Sequence, residues 1–313
     1  MKVTIKILLT FSSIVIIFSA GCGIIHTGTQ PAAIAIDGAR NVWVVNKGSA
    51  DITELNSNGG RMGTYPVGTY PYGIAIDSSG NVWVVNNGDS IVSELDSSGK
   101  IIKAYTVGTE PKGIAIDSSG NVWVSNYFDS TVSRLSSAGI TVETYTVGTM
   151  PWNIAIDRAG NVWVVNNDSA SVTKLNPGGV RTRTYPVGSN PIGIAIDRSG
   201  NVWVANNGAN TVTKLNSMGT LLGTFSAGTS PNGVAIDNAG NVWVTNQYSN
   251  RVTELNSTGK IIRTYAAGTE PCAIAIDSAG NVWVANYGDD TVTKLARAAK
   301  GPQYFPYSGP QWP

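Results

Sequence analysis

Apolar and polar positions alternate along this chain in short runs, and the pattern of runs repeats every 40 residues. Residues 191–229 show one period. Gly193-Ile-Ala-Ile-Asp197 is a brief apolar stretch closed by Arg198-Ser-Gly200, whose glycine can take a positive φ. Asn201-Val-Trp-Val-Ala205 is a second stretch, followed by polar residues 206–210. Thr211-Val-Thr-Lys-Leu215 alternates with the period of two that marks a half-buried strand. Asn216-Ser-Met-Gly219 reads as a second turn and residues 221–227 as a fourth strand. We call these strands a to d; no segment carries a helical period.

The period holds without insertion or deletion through seven units. Pro recurs at 31, 71, 111, 151, 191, 231 and 271, and Asp at 37, 77, 117, 157, 197, 237 and 277. Trp recurs at 43, 83, 123, 163, 203, 243 and 283, and Asn at 46, 86, 126, 166, 206, 246 and 286. A four-stranded unit cannot bury both faces of its own small sheet, so neighbouring units must cover each other. The pattern predicts an all-β, seven-bladed β-propeller with four antiparallel strands per 40-residue repeat, spanning residues 31–310. An open β-solenoid would need polar end caps, and neither terminal repeat resembles one. Two segments compete to supply strand d of the last blade. Phe305-Pro306-Tyr307 lies 40 residues after Tyr265, and Ile24–Thr27 is in register with Tyr65–Val67. The C-terminal segment is preferred, which leaves residues 22–30 as a linker; otherwise they are the closing strand.

Composition narrows the function. Charged residues are only 13%, and the formal net charge is +1. Without residues 1–21, which hold Lys2 and Lys6, 19 cations face 20 anions. No basic surplus is left to hold a phosphate backbone, so nucleic acid is not expected as a partner. The one histidine, His26, precedes the repeats, which removes histidine-ligated zinc sites and Ser-His-Asp triads from them. Cys22 and Cys272 make no disulfide framework, and Cys272 reads as a free thiol.

Lys2 and Lys6 precede an apolar run from Ile7 to Ala20, which reads as an export signal over residues 1–21. Its ending, Ser19-Ala20-Gly21-Cys22, resembles the lipobox of bacterial lipoproteins, although Ser19 stands where leucine is usual. That resemblance implies lipidation of Cys22 and anchorage outside the cytoplasm, on the cell membrane or outer membrane. An ordinary signal peptide would give a secreted protein instead.

The repeat Pro-x-Gly-Ile-Ala-Ile-Asp-Ser-x-Gly-Asn-Val-Trp-Val-x-Asn, with Thr-Val-Thr-x-Leu-Asn and Thr-Tyr-x-Val-Gly-Thr behind it, resembles the NHL and YVTN classes of propeller repeat over residues 28–295. These families imply binding and scaffolding more than chemistry. The Gly-Asn-Val-Trp-Val core is also similar to the repeats of streptogramin (virginiamycin B) lyases. That likeness implies a catalytic histidine and a metal held by acidic groups, and residues 31–310 hold no histidine to match.

In a four-stranded blade the a–b and c–d turns lie on one face, and the b–c loop and d–a link lie on the other. The first face repeats Asp-Ser-Ser-Gly-Asn and Asn-Ser-x-Gly almost unchanged and reads as architecture. The second varies from blade to blade, and there Tyr70, Tyr72, Lys112, Tyr127, Phe128 and Trp152 gather on blades two to four. Rim aromatics can stack sugars or grip a peptide, so this arc is the candidate binding site for an envelope glycan, peptide or protein. Packing against neighbouring loops is the plainer use for the same residues. The recurring Asp is expected to build an Asx-turn, not a calcium loop. The recurring Asn is expected to cap the b–c turn. Glu270, Asp289 and Asp290 could form a carboxylate cluster, though a solvated loop fits them better. Glu54, Glu94 and Glu254 on strand c alternate by blade with Arg134, Lys174, Lys214 and Lys294, pairs of little energetic weight if they meet at the surface.

The sequence therefore predicts an exported, lipid-anchored, monomeric binding or scaffold module with no cofactor, no metal and no catalytic residue. The alternative is a metal-dependent lyase or hydrolase using carboxylates on the variable face. A featureless spacer is a third possibility.

Overall fold

The computed structural model describes residues 22–137 and 140–296. They form seven four-stranded antiparallel sheets, the blades of a β-propeller. Blade one holds strands a Pro31–Ile36, b Val42–Asn46, c Asp51–Leu55 and d Arg61–Pro66, and the pattern recurs every 40 residues. Strand a begins at the repeated proline, ahead of the expected start, with a register shift just after it.

The ring closes at the N-terminal segment, not the C-terminal one. Blade seven takes strands a to c from Pro271–Ile276, Val282–Asn286 and Thr291–Leu295, and its outermost strand is Cys22–His26. The register runs from Cys22 opposite Leu295 to His26 opposite Thr291. Strand c needs a partner for its outer backbone groups, and Ile25 fills the place that an aromatic residue takes in the other blades. It packs beside Trp283, and a Cβ on Gly59 of the next blade would meet its Cδ1 at 2.5 Å. The propeller thus starts at residue 22, and His26 belongs to it. Phe305–Tyr307 lie outside the described residues.

The core sits between blades. Trp203 is fully buried and packs on Val242, Val244 and Leu255 of the following blade. Burying each such indole contributes roughly 4–6 kcal/mol as an upper bound, from about 150–250 Å² of surface at ~25 cal/mol/Å². Strand d lays an aromatic ring on it from the same blade: Trp43 and Tyr65 stack at 5.7 Å, Trp243 and Tyr265 at 5.0 Å. The indole N–H is not left unpaired. In every blade it donates to Oδ2 of the recurring Asp, as from Trp203 to Asp197 at 3.1 Å. Oδ1 of that Asp builds the Asx-turn by accepting the Ser199 and Asn201 N–H groups.

The recurring Asn does more than cap its loop. Asn126 donates through Nδ2 to Thr131 and Ser133 on strand c and accepts the Gly108 N–H of the d–a link, so it joins strands b and c to the preceding segment. A Cβ on Gly108 would lie 2.5 Å from its Cγ, which is why the link carries glycine there. The charged residues of strand c find partners other than one another. Glu54, Glu94 and Glu254 accept the hydroxyls of Tyr65, Tyr105 and Tyr265. Lys174, Lys214 and Lys294 lie over their own blade's Trp ring at 4.7–4.8 Å and donate to a backbone carbonyl of the next blade.

Burial pushes the carboxyls of Asp117, Asp157, Asp197 and Asp277 up, but the Asn, indole and backbone donors around them outweigh it, and each lies below the ordinary range. A carboxyl depressed in the folded state contributes stability that is present above its unfolded pKa and lost as pH falls through the folded value. The melting temperature should therefore hold from neutrality down to about pH 4 and fall steeply below it. Asp197→Ala should cost about 2 kcal/mol at pH 7 and flatten that acid limb, as read by thermal unfolding across pH.

Candidate functional site at the channel mouth

The seven a strands line a central channel, and its mouth on the d–a and b–c loop face opens into a cavity of about 420 Å³. The residue after each repeated proline supplies one lining side chain per blade. These are Ala32, Tyr72, Lys112, Trp152, Ile192, Asn232 and Cys272. The residue before the proline has a left-handed backbone, φ 47° at Tyr70 and 52° at Met150, and its carbonyl accepts the N–H that opens the b–c loop. That tie brings a second ring of residues toward the mouth, Lys47, Gln247 and Tyr287 among them. The a strands approach so closely that a Cβ on Gly73 would sit 2.4 Å from the Lys112 carbonyl oxygen, and one on Gly193 2.0 Å from that of Asn232. Glycine is required at both places.

Four of the six expected binding residues meet here. Trp152 stands edge-on to Tyr72 at 5.9 Å and to Tyr127 at 5.4 Å. The Lys112 ammonium lies among all three rings, 4.7 Å from the Tyr72 centroid, 5.2 Å from Tyr127 and 5.3 Å from Trp152. The Lys47 ammonium lies 6.0 Å from the Tyr72 centroid and 5.9 Å from that of Tyr287. Ring quadrupoles face both cations, and the Glu110 carboxylate stands near enough to Lys112 to act on its charge. Burial lowers the Lys112 ammonium's pKa; nearby Glu110 raises it and Lys47 lowers it further. Burial likewise pushes the Tyr72 and Tyr127 phenols up.

The other two stand apart from the cavity. Tyr70 is exposed, with its ring centroid 5.8 Å from the Lys47 ammonium, and Phe128 is exposed at the loop tip. Neither lines the mouth, because the left-handed residue before the proline and the second loop residue both turn away from the axis. Sequence reading also missed Lys47, Tyr287, Gln247 and Cys272 as site residues. Their signal was available: each stands at the repeat position that Tyr72 or Tyr127 occupies, at offsets that are multiples of 40. Cys272, free as expected, is half-buried at the mouth with its thiol 3.1 Å from the Pro31 carbonyl, and desolvation there pushes its pKa up to about 12.

Four aspartates of this face serve the backbone. Asp289 accepts the Thr269 N–H at 2.8 Å and Asp290 that of Gln30 at 2.8 Å, so they cap the d–a links of their own and the next blade. Asp89 and Asp129 do the same for Thr69 and Thr109. Among the described residues no group of three or more His, Cys, Asp and Glu is placed to hold a metal ion.

Comparison with known proteins adds the family. The virginiamycin B lyase family matches residues 20–298. The chain belongs to that family. Its fold is shared with a streptogramin B lyase of known structure, at 19% identity over 87% of this chain and 96% of the other, with a TM-score of 0.80. Virginiamycin B lyase from Staphylococcus aureus superposes with a TM-score of 0.81, at 21% identity over 88% of this chain and 99% of the other. A catalytically inactive histidine-to-alanine variant of that S. aureus protein, solved with quinupristin, covers 88% of this chain and all of its own at 20% identity, with a TM-score of 0.80. Hydrazine synthase from Kuenenia stuttgartiensis is as similar in shape, with a TM-score of 0.79 at 19% identity over 88% of this chain and 98% of the other. No curated protein matches the chain in sequence. These identities show a common fold within which chemistry varies.

With Cys22 replaced by serine, Cys272 should react with a disulfide reagent at pH 8 about a thousandfold more slowly than an ordinary exposed thiol, because the thiolate is scarce there. The rate should climb with pH. Absorbance of the released thiol measures it.

Proposed function

We propose that the chain is an exported binding module, anchored through a lipid on Cys22, whose channel mouth takes a ligand that sets an anionic group against a flat apolar face. The observation that carries this reading is the Lys112 ammonium held among Tyr72, Tyr127 and Trp152 with Lys47 across the Tyr72 ring. Two cations held against rings supply the attraction for an anion, which Glu110 beside Lys112 partly offsets, and the rings supply a stacking surface. An envelope glycan or peptide with acidic groups has that chemistry.

Family membership favours a second reading, lyase activity on a streptogramin. Against it stands the place of the one histidine in the sequence. His26 is exposed on the outermost strand of blade seven, while the mouth is formed by the a strands.

Anilinonaphthalene sulfonate, an aromatic anion, probes the first reading, and quinupristin the second. The sulfonate should bind with micromolar affinity. Lys112→Met or Trp152→Ala should weaken it about tenfold or more, with little change in melting temperature, and Phe128→Ala should leave it unchanged. Affinity should also drop as pH rises through the lowered pKa of Lys112. Intact quinupristin, followed by chromatography, should persist. Its consumption by the parent chain would move the function to the lyase reading.

A further inference from the structure

The face opposite the channel mouth carries the larger apolar surface. Of the 15 large apolar side chains exposed on the described residues, ten stand where strand c turns into strand d, on the a–b and c–d turn face. They include Met62, Ile102, Ile140, Val180, Leu222 and Ile262, so blades one to six each contribute at least one. These ten are all aliphatic or methionine. The four exposed on the mouth face are Tyr70, Phe128, Met150 and Tyr248.

Charge divides the same way. Among the described residues, the corner and the strand d that leaves it expose Arg61, Lys100, Lys103, Arg181, Arg183, Lys260 and Arg263, against the single exposed carboxylate of Glu143. On the mouth face the exposed carboxylates Asp89, Asp129 and Asp168 outnumber the exposed cation Arg251. An aliphatic ring fringed by cations fits the boundary of a bilayer that carries anionic lipid, where apolar side chains enter the headgroup region and Lys and Arg meet the phosphates.

The path of the chain points to the same occupant. Residues 22, 62, 102, 222 and 262 are repeat equivalents, so Cys22 begins strand d of blade seven at the corner position that Met62, Ile102, Leu222 and Ile262 hold in theirs. A lipid on Cys22 would therefore enter a bilayer from this corner and not from the mouth.

We infer that the propeller lies with its a–b and c–d turn face on an anionic lipid surface and holds the channel mouth away from it. This inference rests on the exposed ring and not on what the mouth binds.

The chain carries its own probes. Met62 and Met218 stand on the ring, 54% and 73% exposed, and Met150 stands on the mouth face at 38%. Hydroxyl-radical footprinting with mass spectrometry should oxidise Met218 and Met62 faster than Met150 while the full chain is free in solution. On vesicles of phosphatidylglycerol and phosphatidylethanolamine the order should reverse, with Met62 and Met218 protected about fivefold relative to Met150. Phosphatidylcholine vesicles should protect less. The surface variant Leu222→Asp/Ile262→Asp, checked for an unchanged melting temperature, should restore reactivity at Met218. Full reactivity of Met62 and Met218 on anionic vesicles would overturn the inference, as would protection of Met150 instead. Protection of the ring without lipid would also overturn it, by assigning that face to another copy of the chain.

Discussion

The hydrogen bond from each strand-b indole to the recurring Asp is the contact on which the repeated structure depends. A tryptophan buried between two blades brings a polar N–H into an apolar layer, and an unpaired donor there would offset much of the gain from burial. Asp197 Oδ2 takes that N–H while its Oδ1 folds the a–b turn. One carboxylate thus couples the shape of the turn to the packing of the core. The same geometry recurs in all seven blades, always across six residues, which explains why the spacing from Asp to Trp is the same in each.

The blades are further stitched by a choice at one position of strand c. Where it is glutamate, it receives the strand-d tyrosine hydroxyl, as Glu54 does from Tyr65. Where it is lysine, it lies on the tryptophan face and reaches the next blade's turn, as Lys214 does to Ser257. Both replace solvent contacts with contacts inside the assembly, so the charges here serve cohesion and leave the surface charge to the two faces.

Those faces have diverged in different ways. On one, glycine and left-handed residues let the backbone crowd the axis, and the side chains freed from turn duty vary and collect around the channel. On the other, the turns are uniform while the adjoining strand d is free to vary at its exposed start. A cationic, aromatic mouth and an aliphatic, cationic rim are the two results.

Much of this was legible in the sequence. Forty-residue spacing determined the blade count, the strand order, the Asx-turns and which face would vary, because each depends on contacts within a few residues or on an unbroken period. Lys112, Tyr72, Tyr127 and Trp152 could be named as a site for the same reason. Only the tertiary structure decided that Cys22–His26 closes the ring, since two segments matched the pattern and pairing with a strand some 270 residues away chose between them. It alone separated Tyr72, which lines the cavity, from the exposed Tyr70, since both stand beside the same proline in the sequence. It also brought Lys47 of blade one and Tyr287 of blade seven beside Tyr72, a convergence that exists only once the ring is closed.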